Sequence, residues 1–185
     1  MISVTELRKN VTFEMDGQLY KVLEYEHYKP GRGNAIIRTR LRNLRTGATI
    51  DRNFLSGDRV QDVRLEHHTV QYLYHDGDLY YFMDTETFEQ PALTVEALGD
   101  AVNYLKEGVT LELSLYEGKP IEVELPTTVD MVVADAPMAI AGDTATGATK
   151  QVTTETGLKV TVPLFVQEGD TIRVDTRTGA YLTRV

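Results

Sequence analysis

Short segments in which apolar and polar residues alternate run along most of the chain, and pairs of turn-forming residues separate them. In one such segment Leu158, Val160 and Val162 alternate with polar residues, which is the period of a strand that buries one face. Apolar residues also alternate on both sides of Asp16 and Gly17, a dipeptide typical of two-residue hairpin turns. The pattern therefore predicts many short strands joined by tight turns.

Only one segment has the spacing of a helix. Leu98, Val102 and Leu105 recur at helical intervals, and Thr94 precedes them as the expected N-cap. We therefore expect a single helix over residues 95–105. Many short strands with one helix are typical of small β-barrels, so the predicted fold class is all-β, with three small barrels in series.

The 185 residues carry a formal charge of −9, and this charge is unevenly distributed. Residues 1–64 hold 12 Lys and Arg against 8 Asp and Glu, a net of +4. Residues 65–126 hold 2 against 13, a net of −11, and residues 127–185 hold 5 against 7, a net of −2. The change of sign, together with Pro126 in a strand pattern, predicts domains 1–64, 65–126 and 127–185. A basic first domain predicts contact with a polyanion there alone.

Several classes of function lack their sequence signals. The chain has no cysteine, so disulfides, thiolate zinc sites and thiol nucleophiles are excluded. It has no hydrolase, nucleotide-binding or zinc-protease motif, and the adjacent His67 and His68 would point to opposite faces of a strand. We therefore expect no enzyme, no cofactor and no metal. Without an export signal or a long apolar run, we expect a cytoplasmic protein with no membrane partner.

A stiff cationic turn separates two predicted strands, and it consists of Lys29, Pro30, Gly31, Arg32, Gly33 and Asn34. Pro30 fixes its own φ, and we expect Gly31 and Gly33 to adopt positive φ on either side of Arg32. The turn then holds one guanidinium at its apex. This planar, permanently charged group suits phosphates, base edges and stacking on bases. The turn is therefore a candidate RNA-binding loop.

The strand after this turn carries three arginines at every second residue, Arg38, Arg40 and Arg42. They alternate with Ile37, Thr39 and Leu41, so one face is expected to pack inward while the other forms a basic stripe about 13 Å long. Arg45 and Arg52 are expected to extend it. RNA contact, a merely solvated face and docking onto the acidic second domain all stay open on this evidence.

Four aromatic residues of the acidic domain surround a predicted hairpin at Asp76 and Gly77, namely Tyr72, Tyr74, Tyr80 and Phe82. Barrels of the OB type stack bases on such side chains. The net charge of −11 in this domain would repel phosphates, however, so we predict core packing for all four.

Three ordered parts of the chain resemble one known family. Residues 29–35 resemble the tip loop of bacterial elongation factor P. Segments of the last third of the chain resemble the C-terminal signature of that family. They are Gly142-Asp143-Thr144, Lys150, residues 155–157, 162–166 and 169–179, and the ending at 181–184. Residues 53–57 and 71–74 match in between. The chain is therefore identified as a member of the elongation factor P and hypusine-containing initiation factor superfamily.

This resemblance implies an SH3-like (KOW-like) N-terminal domain, a central OB-fold domain and a C-terminal OB-fold domain, with a tRNA-like overall shape. It implies a monomer without covalent chemistry that binds the 70S ribosome beside the peptidyl-tRNA, contacting both subunits and rRNA. There it would relieve stalling at consecutive prolines. Two alternatives stay open, an elongation factor P-like paralogue with other clients and a non-ribosomal oligonucleotide-binding module.

The resemblance also assigns roles to single residues. Arg32 occupies the apex that family members fill with a modified Lys, a glycosylated Arg or an unmodified residue, so it is the candidate modification site for a tip-modifying enzyme. Tyr181 and Arg184 match a Tyr-x-x-Arg ending implicated in contacts with the small subunit or tRNA. The chain departs from the family pattern at residues 140–141 and 151–152, which weakens the expectation that this third-domain loop contacts RNA by charge.

Overall fold

Antiparallel pairing between neighbouring strands organises the first sheet of the computed structural model, which describes residues 1–138 and 147–185. Its strands, in the spatial order β1-β6-β2-β3-β4-β5, are β1 (Ile2–Ser3), β2 (Thr12–Met15), β3 (Gln18–Tyr28), β4 (Ile36–Asn43), β5 (Thr49–Leu55) and β6 (Arg59–Asp62). Asp16 and Gly17 join β2 to β3 with φ of 52° and 71°. Positive φ at both positions is the geometry of a two-residue hairpin turn, and the predicted hairpin is confirmed.

The apolar faces of this sheet enclose one buried cluster, formed by Val4, Leu7, Phe13, Val22, Ile37, Leu41, Phe54 and Val60. Ile37, Thr39 and Leu41 of β4 are all buried, as their alternation predicts. Removal of apolar surface from water contributes about 25 cal/mol of stability per Å². Such a cluster is therefore the main source of stability for the sheet. The orientation of β4, and with it the direction of its arginines, follows from this packing.

The second sheet has the order β11-β10-β7-β8-β9. Its strands are β7 (Glu66–Asp76), β8 (Leu79–Asp84), β9 (Ala92–Thr94), β10 (Thr110–Tyr116) and β11 (Lys119–Glu124). The hairpin predicted at Asp76 and Gly77 is present, because β7 and β8 pair up to Asp76 and Leu79. Val70, Tyr72, Phe82 and Leu111 are buried.

The helix predicted over residues 95–105 is wrong beyond residue 98. Helix α1 spans Val95–Leu98, and the Thr94 hydroxyl accepts a hydrogen bond from the Ala97 amide at 3.4 Å, as expected of an N-cap. Gly99, with φ of 56°, ends it, and a 3-10 helix follows over Gly99–Tyr104. A residue with a side chain rarely adopts this left-handed φ, so the backbone conformation at Gly99 ends the helix.

A second 3-10 helix, Val4–Glu6, was not expected from the sequence. Ser3 and Glu6 form a capping box. The Glu6 carboxylate accepts a hydrogen bond from the Ser3 amide, and the Ser3 hydroxyl accepts one from the Thr5 amide. The segment is too short for a helical period to be visible, which is why hydrophobic spacing does not reveal it.

The third sheet has the order β14-β13-β12-β15-β16. Its strands are β12 (Thr128–Asp135), β13 (Thr149–Thr154), β14 (Lys159–Pro163), β15 (Thr171–Asp175) and β16 (Tyr181–Arg184). Val160 and Val162 are fully buried, so the alternation predicted for this segment is confirmed. Across β12 and β15 the Arg173 guanidinium donates two hydrogen bonds to Asp130, at 2.7 and 2.9 Å, and these hold the pKa of Asp130 below its usual value.

The sheets are barrel-like and the all-β prediction is confirmed. By packing, the chain divides into one compact unit of Met1–His68, Leu93–Gly99 and Ser114–Glu122, and another of Thr69–Ala92, Asp100–Leu113 and Val123–Val185. The domain boundaries at 64 and 126 stay a prediction. The Gly-Asp-Thr motif at 142–144 and the departure at 140–141 lie outside the described residues.

We expect Gly47→Ala to destabilise the protein more than Gly17→Ala. Both glycines have positive φ, 73° and 71°, where an L-residue costs about 1 kcal/mol or more. A Cβ at Gly47 would also lie 2.6 Å from the Glu96 carbonyl oxygen, whereas nothing lies within 4 Å at Gly17. Because neighbouring groups must shift to make room for it, Gly47→Ala should lower the free energy of unfolding by about 2–4 kcal/mol. Urea unfolding followed by circular dichroism measures both; equal losses would contradict the close approach.

Candidate nucleic-acid interface

The candidate RNA-binding loop closes the long hairpin formed by β3 and β4. These strands pair from Tyr20 and Asn43 to Tyr28 and Ile36, so residues 29–35 form the loop. β5 runs beside β4 up to the pair of Ile36 with Leu55. Three paired strands therefore support the base of the loop. Within it Lys29, Gly31, Arg32, Gly33 and Asn34 are exposed, and Pro30 is half-buried.

The two glycines of the loop differ in backbone geometry. Gly33 has φ of 106°, a region that L-residues with a side chain rarely adopt. Gly31 does not have positive φ, so the expectation of positive φ on both sides of Arg32 is wrong for Gly31. A single unusual backbone position after Arg32 is enough to turn the chain. Glycine is thus required by conformation at position 33 only.

The charges of the loop are free of ion pairs. Within residues 1–138 and 147–185, neither Lys29 nor Arg32 lies within salt-bridge distance of a carboxylate. The loop itself contains no acidic residue, so it carries a net charge of +2. Its cations are therefore available to an anionic partner without first breaking an internal contact.

The basic stripe predicted on β4 is an ion-pair ladder rather than a free cationic surface. The Arg38 guanidinium lies 3.6 Å from the Glu26 carboxylate. Arg40 lies 3.7 Å from both Glu24 and Asp51, on the two neighbouring strands. Two guanidinium groups thus face three carboxylates, a local net charge of −1. These exposed pairs contribute little stability each, about 0–1 kcal/mol, but they cancel the local field.

The remaining arginines do not extend such a stripe. Arg42 is half-buried, and one of its guanidinium nitrogens donates to the Ala97 carbonyl oxygen at 3.4 Å. Arg52 lies on the opposite face of the sheet, with its guanidinium 5.9 Å from the centre of the Phe54 ring. Arg45 is exposed in the turn after β4. By strand alternation Arg42 shares the face of Arg38 and Arg40, and its contact with Ala97, within residues 65–126, fits the alternative of docking onto the acidic second domain. The expectation that the stripe extends further is wrong for Arg52.

Tyr28 is a residue of this surface that our interpretation of the sequence missed. It is the last residue of β3 before the loop, it is exposed, and the Arg38 guanidinium lies 4.5 Å from the centre of its ring. Cations at this distance from an aromatic face are attracted to it. The signal was available, since Tyr28 continues the alternation of Glu24 and Glu26 along the strand. His27, one residue earlier, is exposed and pairs with Ile37 across the sheet.

At the C-terminus the two residues of the Tyr-x-x-Arg ending lie on β16 with different surroundings. Tyr181 packs against the buried cluster of the third sheet. Arg184 is exposed, lies 3.5 Å from Asp170 and places its guanidinium 5.1 Å from the centre of the Phe165 ring. Phe165 is itself exposed. A contact of Tyr181 or Arg184 with RNA stays a prediction.

Among the aromatic residues of the second sheet, core packing is confirmed for Tyr72 and Phe82, which are buried. Burial raises the pKa of the Tyr72 hydroxyl, which lies 3.2 Å from His75 Nδ1. Tyr80 is half-buried. Tyr74 is 53% exposed and stacks on the Tyr81 ring at 4.9 Å, so the prediction of core packing is wrong for this residue.

The adjacent histidines of β7 have separate partners. His67 lies 3.2 Å from the Ser114 hydroxyl, and His68 lies 3.8 Å from the Glu66 carboxylate. In the part of the chain that the structure describes, no group of three or more His, Asp or Glu has the arrangement of a metal site. Over the same residues, no helix has the length and apolar character needed to span a membrane.

Comparison with known proteins gives matches along nearly the whole chain. Three family models match in order: the elongation factor P KOW-like domain over residues 3–60, the elongation factor P OB domain over residues 65–123, and the elongation factor P C-terminal model over residues 129–184. Elongation factor P of Moorella thermoacetica is 50% identical over 184 residues, and that of Acetivibrio thermocellus is 49% identical over 185 residues. Each alignment covers 100% of both chains.

A solved structure titled eukaryotic translation initiation factor 5A from Methanococcus jannaschii shares the fold, with a TM-score of 0.53 and 19% identity. The match covers 67% of this chain and 91% of that one. The chain has a KOW-like domain with a cationic loop, followed by an OB domain. This architecture is that of a translation factor, and the chain is a translation factor. It belongs to the elongation factor P family.

The ladder predicts how removal of its acids alters RNA binding. In the Glu24→Gln and Glu26→Gln double variant, Arg38 and Arg40 retain only Asp51 nearby. Because Asp51 still pairs with Arg40, only Arg38 is fully freed. We expect the plot of log affinity against log salt, measured by fluorescence anisotropy with a single-stranded RNA, to steepen by about 0.7 for this one cation. The matched control is Asp16→Asn with Asp62→Asn, which changes net charge equally away from the ladder. Equal slopes for the two double variants would contradict the neutralisation.

Proposed function

We propose that the protein binds the ribosome beside the peptidyl-tRNA, contacts both subunits and rRNA, and stimulates peptide-bond formation where consecutive prolines stall synthesis. The observation that carries this proposal is the exposed Arg32 at the apex of a strand-supported loop, without an ion-pair partner in the described chain. The family membership supports a ribosomal partner for such a loop.

The proposed role of Arg32 is positioning rather than proton transfer. A guanidinium stays charged at any physiological pH, so it is a poor proton donor, but it binds phosphates and stacks on bases. Proline restricts backbone geometry, so the reacting ends are poorly aligned when it is being joined. Holding the terminal nucleotides of the peptidyl-tRNA in place lowers the entropic part of the barrier, and such alignment can supply several kcal/mol.

The structure of the hairpin supports this role because the base of the loop is fixed by paired strands. Paired strands continue to Tyr28 and Ile36, the ion pairs lie on the same hairpin, and Tyr28 contacts Arg38. A loop whose two ends are already fixed loses less conformational entropy on binding than an unanchored segment would. The free charge of the loop is thus combined with a rigid base made of neutralised charges.

The remaining parts of the proposal concern the other domains and Arg32 itself. Domains 1–64, 65–126 and 127–185 divide the charge so that only the first is basic, and an acidic second domain disfavours indiscriminate binding to polyanions. Arg184, which is exposed on β16, and Tyr181 are proposed contacts with the small subunit or tRNA. Arg32 is the proposed substrate of a tip-modifying enzyme, and the protein is proposed to act as a cytoplasmic monomer.

A reconstituted translation assay tests the central proposal. We expect the wild-type protein to accelerate synthesis across three consecutive prolines and to leave a proline-free message unchanged. Arg32→Ala should reduce the acceleration by at least about tenfold, because misplacement of a positioning group costs that much or more. Arg45→Ala, which removes an exposed cation outside the loop, is the matched control and should retain it.

Three results of this assay would change the proposal in different ways. An undiminished rate with Arg32→Ala would remove the role assigned to the loop. Rescue of other stalling sequences but not of consecutive prolines would indicate a paralogue with different clients. No effect of the wild-type protein on any message would favour an oligonucleotide-binding module that acts elsewhere.

A further inference from the structure

Three turns of the molecule share one hydrogen-bonding design, although they lie in three different sheets. They connect β4 to β5, β8 to β9 and β15 to β16, and they begin at Asn43, Asp84 and Asp175. The corresponding sequences are Asn-Leu-Arg-Thr-Gly-Ala, Asp-Thr-Glu-Thr-Phe-Glu and Asp-Thr-Arg-Thr-Gly-Ala. Two of them therefore have glycine at the fifth position, and the second has Phe88.

The shared design fixes each turn at several points. In the second turn the Asp84 side chain accepts hydrogen bonds from the amides of Glu86 and Thr87, at 2.8 and 3.0 Å. The Phe88 amide donates to the Asp84 carbonyl oxygen, and the Glu89 amide donates to the Thr87 hydroxyl. The turns that begin at Asn43 and Asp175 contain the corresponding bonds. Phe88 is thus carried on a turn whose backbone is well fixed.

The fifth position of each turn has left-handed backbone geometry. φ is 73° at Gly47, 73° at Gly179 and 62° at Phe88. Glycine accepts this region freely, whereas a bulky residue there is strained. In the two glycine turns the space beside the turn is occupied, since a Cβ would lie 2.6 Å from the Glu96 carbonyl oxygen or 3.2 Å from the Tyr104 hydroxyl. The left-handed backbone, with close neighbours in addition, explains glycine at those two positions. Neither reason explains why the second turn has phenylalanine.

Packing within the protein does not explain Phe88 either. Its side chain is 68% exposed, and residues 85–90 around it are all exposed. A large aromatic side chain gains stability by burial, and Phe88 gains little of it while its backbone is strained. A strained, exposed aromatic residue on a fixed turn is the arrangement expected of an anchor that is buried only in a complex.

Charge indicates which class of partner would bury this ring. Glu86 and Glu89 are exposed on either side of Phe88, and residues 65–126 carry a net charge of −11. RNA phosphates would be repelled by this surface, whereas a protein surface rich in Lys and Arg would be attracted to it. The favoured partner is therefore a basic protein surface with an apolar pocket for one aromatic ring.

We propose that Phe88 is the anchor of a docking surface for a basic protein, with Glu86 and Glu89 as its charged rim. The inference rests on the proposed function, because it takes the ribosome as the particle on which this partner is found. The docking surface is separate in the chain from the Arg32 loop, and it would contribute affinity rather than the positioning of the reacting ends.

Two substitutions remove the ring while keeping the backbone. Phe88→Gly restores the residue of the other two turns, and Phe88→Asn introduces a residue that tolerates left-handed geometry. We expect the melting temperature of both variants to be unchanged or higher, and their affinity for purified ribosomes, measured by co-sedimentation, to fall about tenfold. Leu79→Ala, which shortens an exposed apolar residue at the opposite end of β8 from Phe88, is the control and should bind as the wild type does.

The outcomes separate this inference from the function on which it rests. Wild-type affinity in both Phe88 variants overturns the inference and leaves the proposed function standing. A lower melting temperature in both, or an equal loss of affinity in Leu79→Ala, also overturns it. Absence of wild-type binding to ribosomes overturns the proposed function and this inference with it.

Cross-linking identifies the class of partner directly. With p-benzoyl-phenylalanine at position 88 of the full chain, irradiation on purified ribosomes should join the protein to a basic protein of the particle. A cross-link at position 88 to rRNA alone would overturn the assignment of the partner. The same photoreactive residue at position 79 is the control, and it should give no such product.

Discussion

The pairing register of β3 with β4 is the constraint on which the candidate interface depends. The alternating core residues of β4 must face inward, so Arg38 and Arg40 must face outward. Because side chains alternate with a period of two, a slip of one residue would turn both guanidinium groups toward the core. The same register sets Glu26 opposite Arg38 and Glu24 opposite Arg40. Apolar packing thus decides which charges meet on the outer face.

The position of the loop follows from the same pairing. The ladder of β3 and β4 ends at Tyr28 and Ile36, and the chain must then reverse within residues 29–35. Gly33 supplies the one backbone conformation in this loop that other residues rarely adopt. Arg32 lies immediately before it, in a loop that contains no acidic residue. Geometry that originates in the core therefore determines where the unpaired cation is presented.

Features that depend on near neighbours in the chain could be predicted from the sequence. The Asp16-Gly17 turn and the alternation along β4 are of this kind, because neighbouring residues determine both a tight turn and the period of a strand. One kind of error concerns contacts between distant residues, since the pairing of Arg38 with Glu26 requires the register. Another concerns the backbone, since helix α1 ends where Gly99 adopts left-handed geometry, which the spacing of apolar residues does not show. Local patterns predict elements, but they do not predict which side chains share a face.

Neutralisation of the arginines on β4 bears on how an RNA partner would be chosen. A surface with many free cations binds any polyanion, because each neutralised phosphate adds affinity irrespective of sequence or shape. Here Lys29 and Arg32 are the unpaired cations of the loop, while Arg38 and Arg40 have carboxylate partners. Two free charges give weak non-specific attraction, so tight binding must come from a site that fits the shape of the loop. An acidic chain with a small free cationic tip is therefore suited to selecting one geometry among many RNA surfaces.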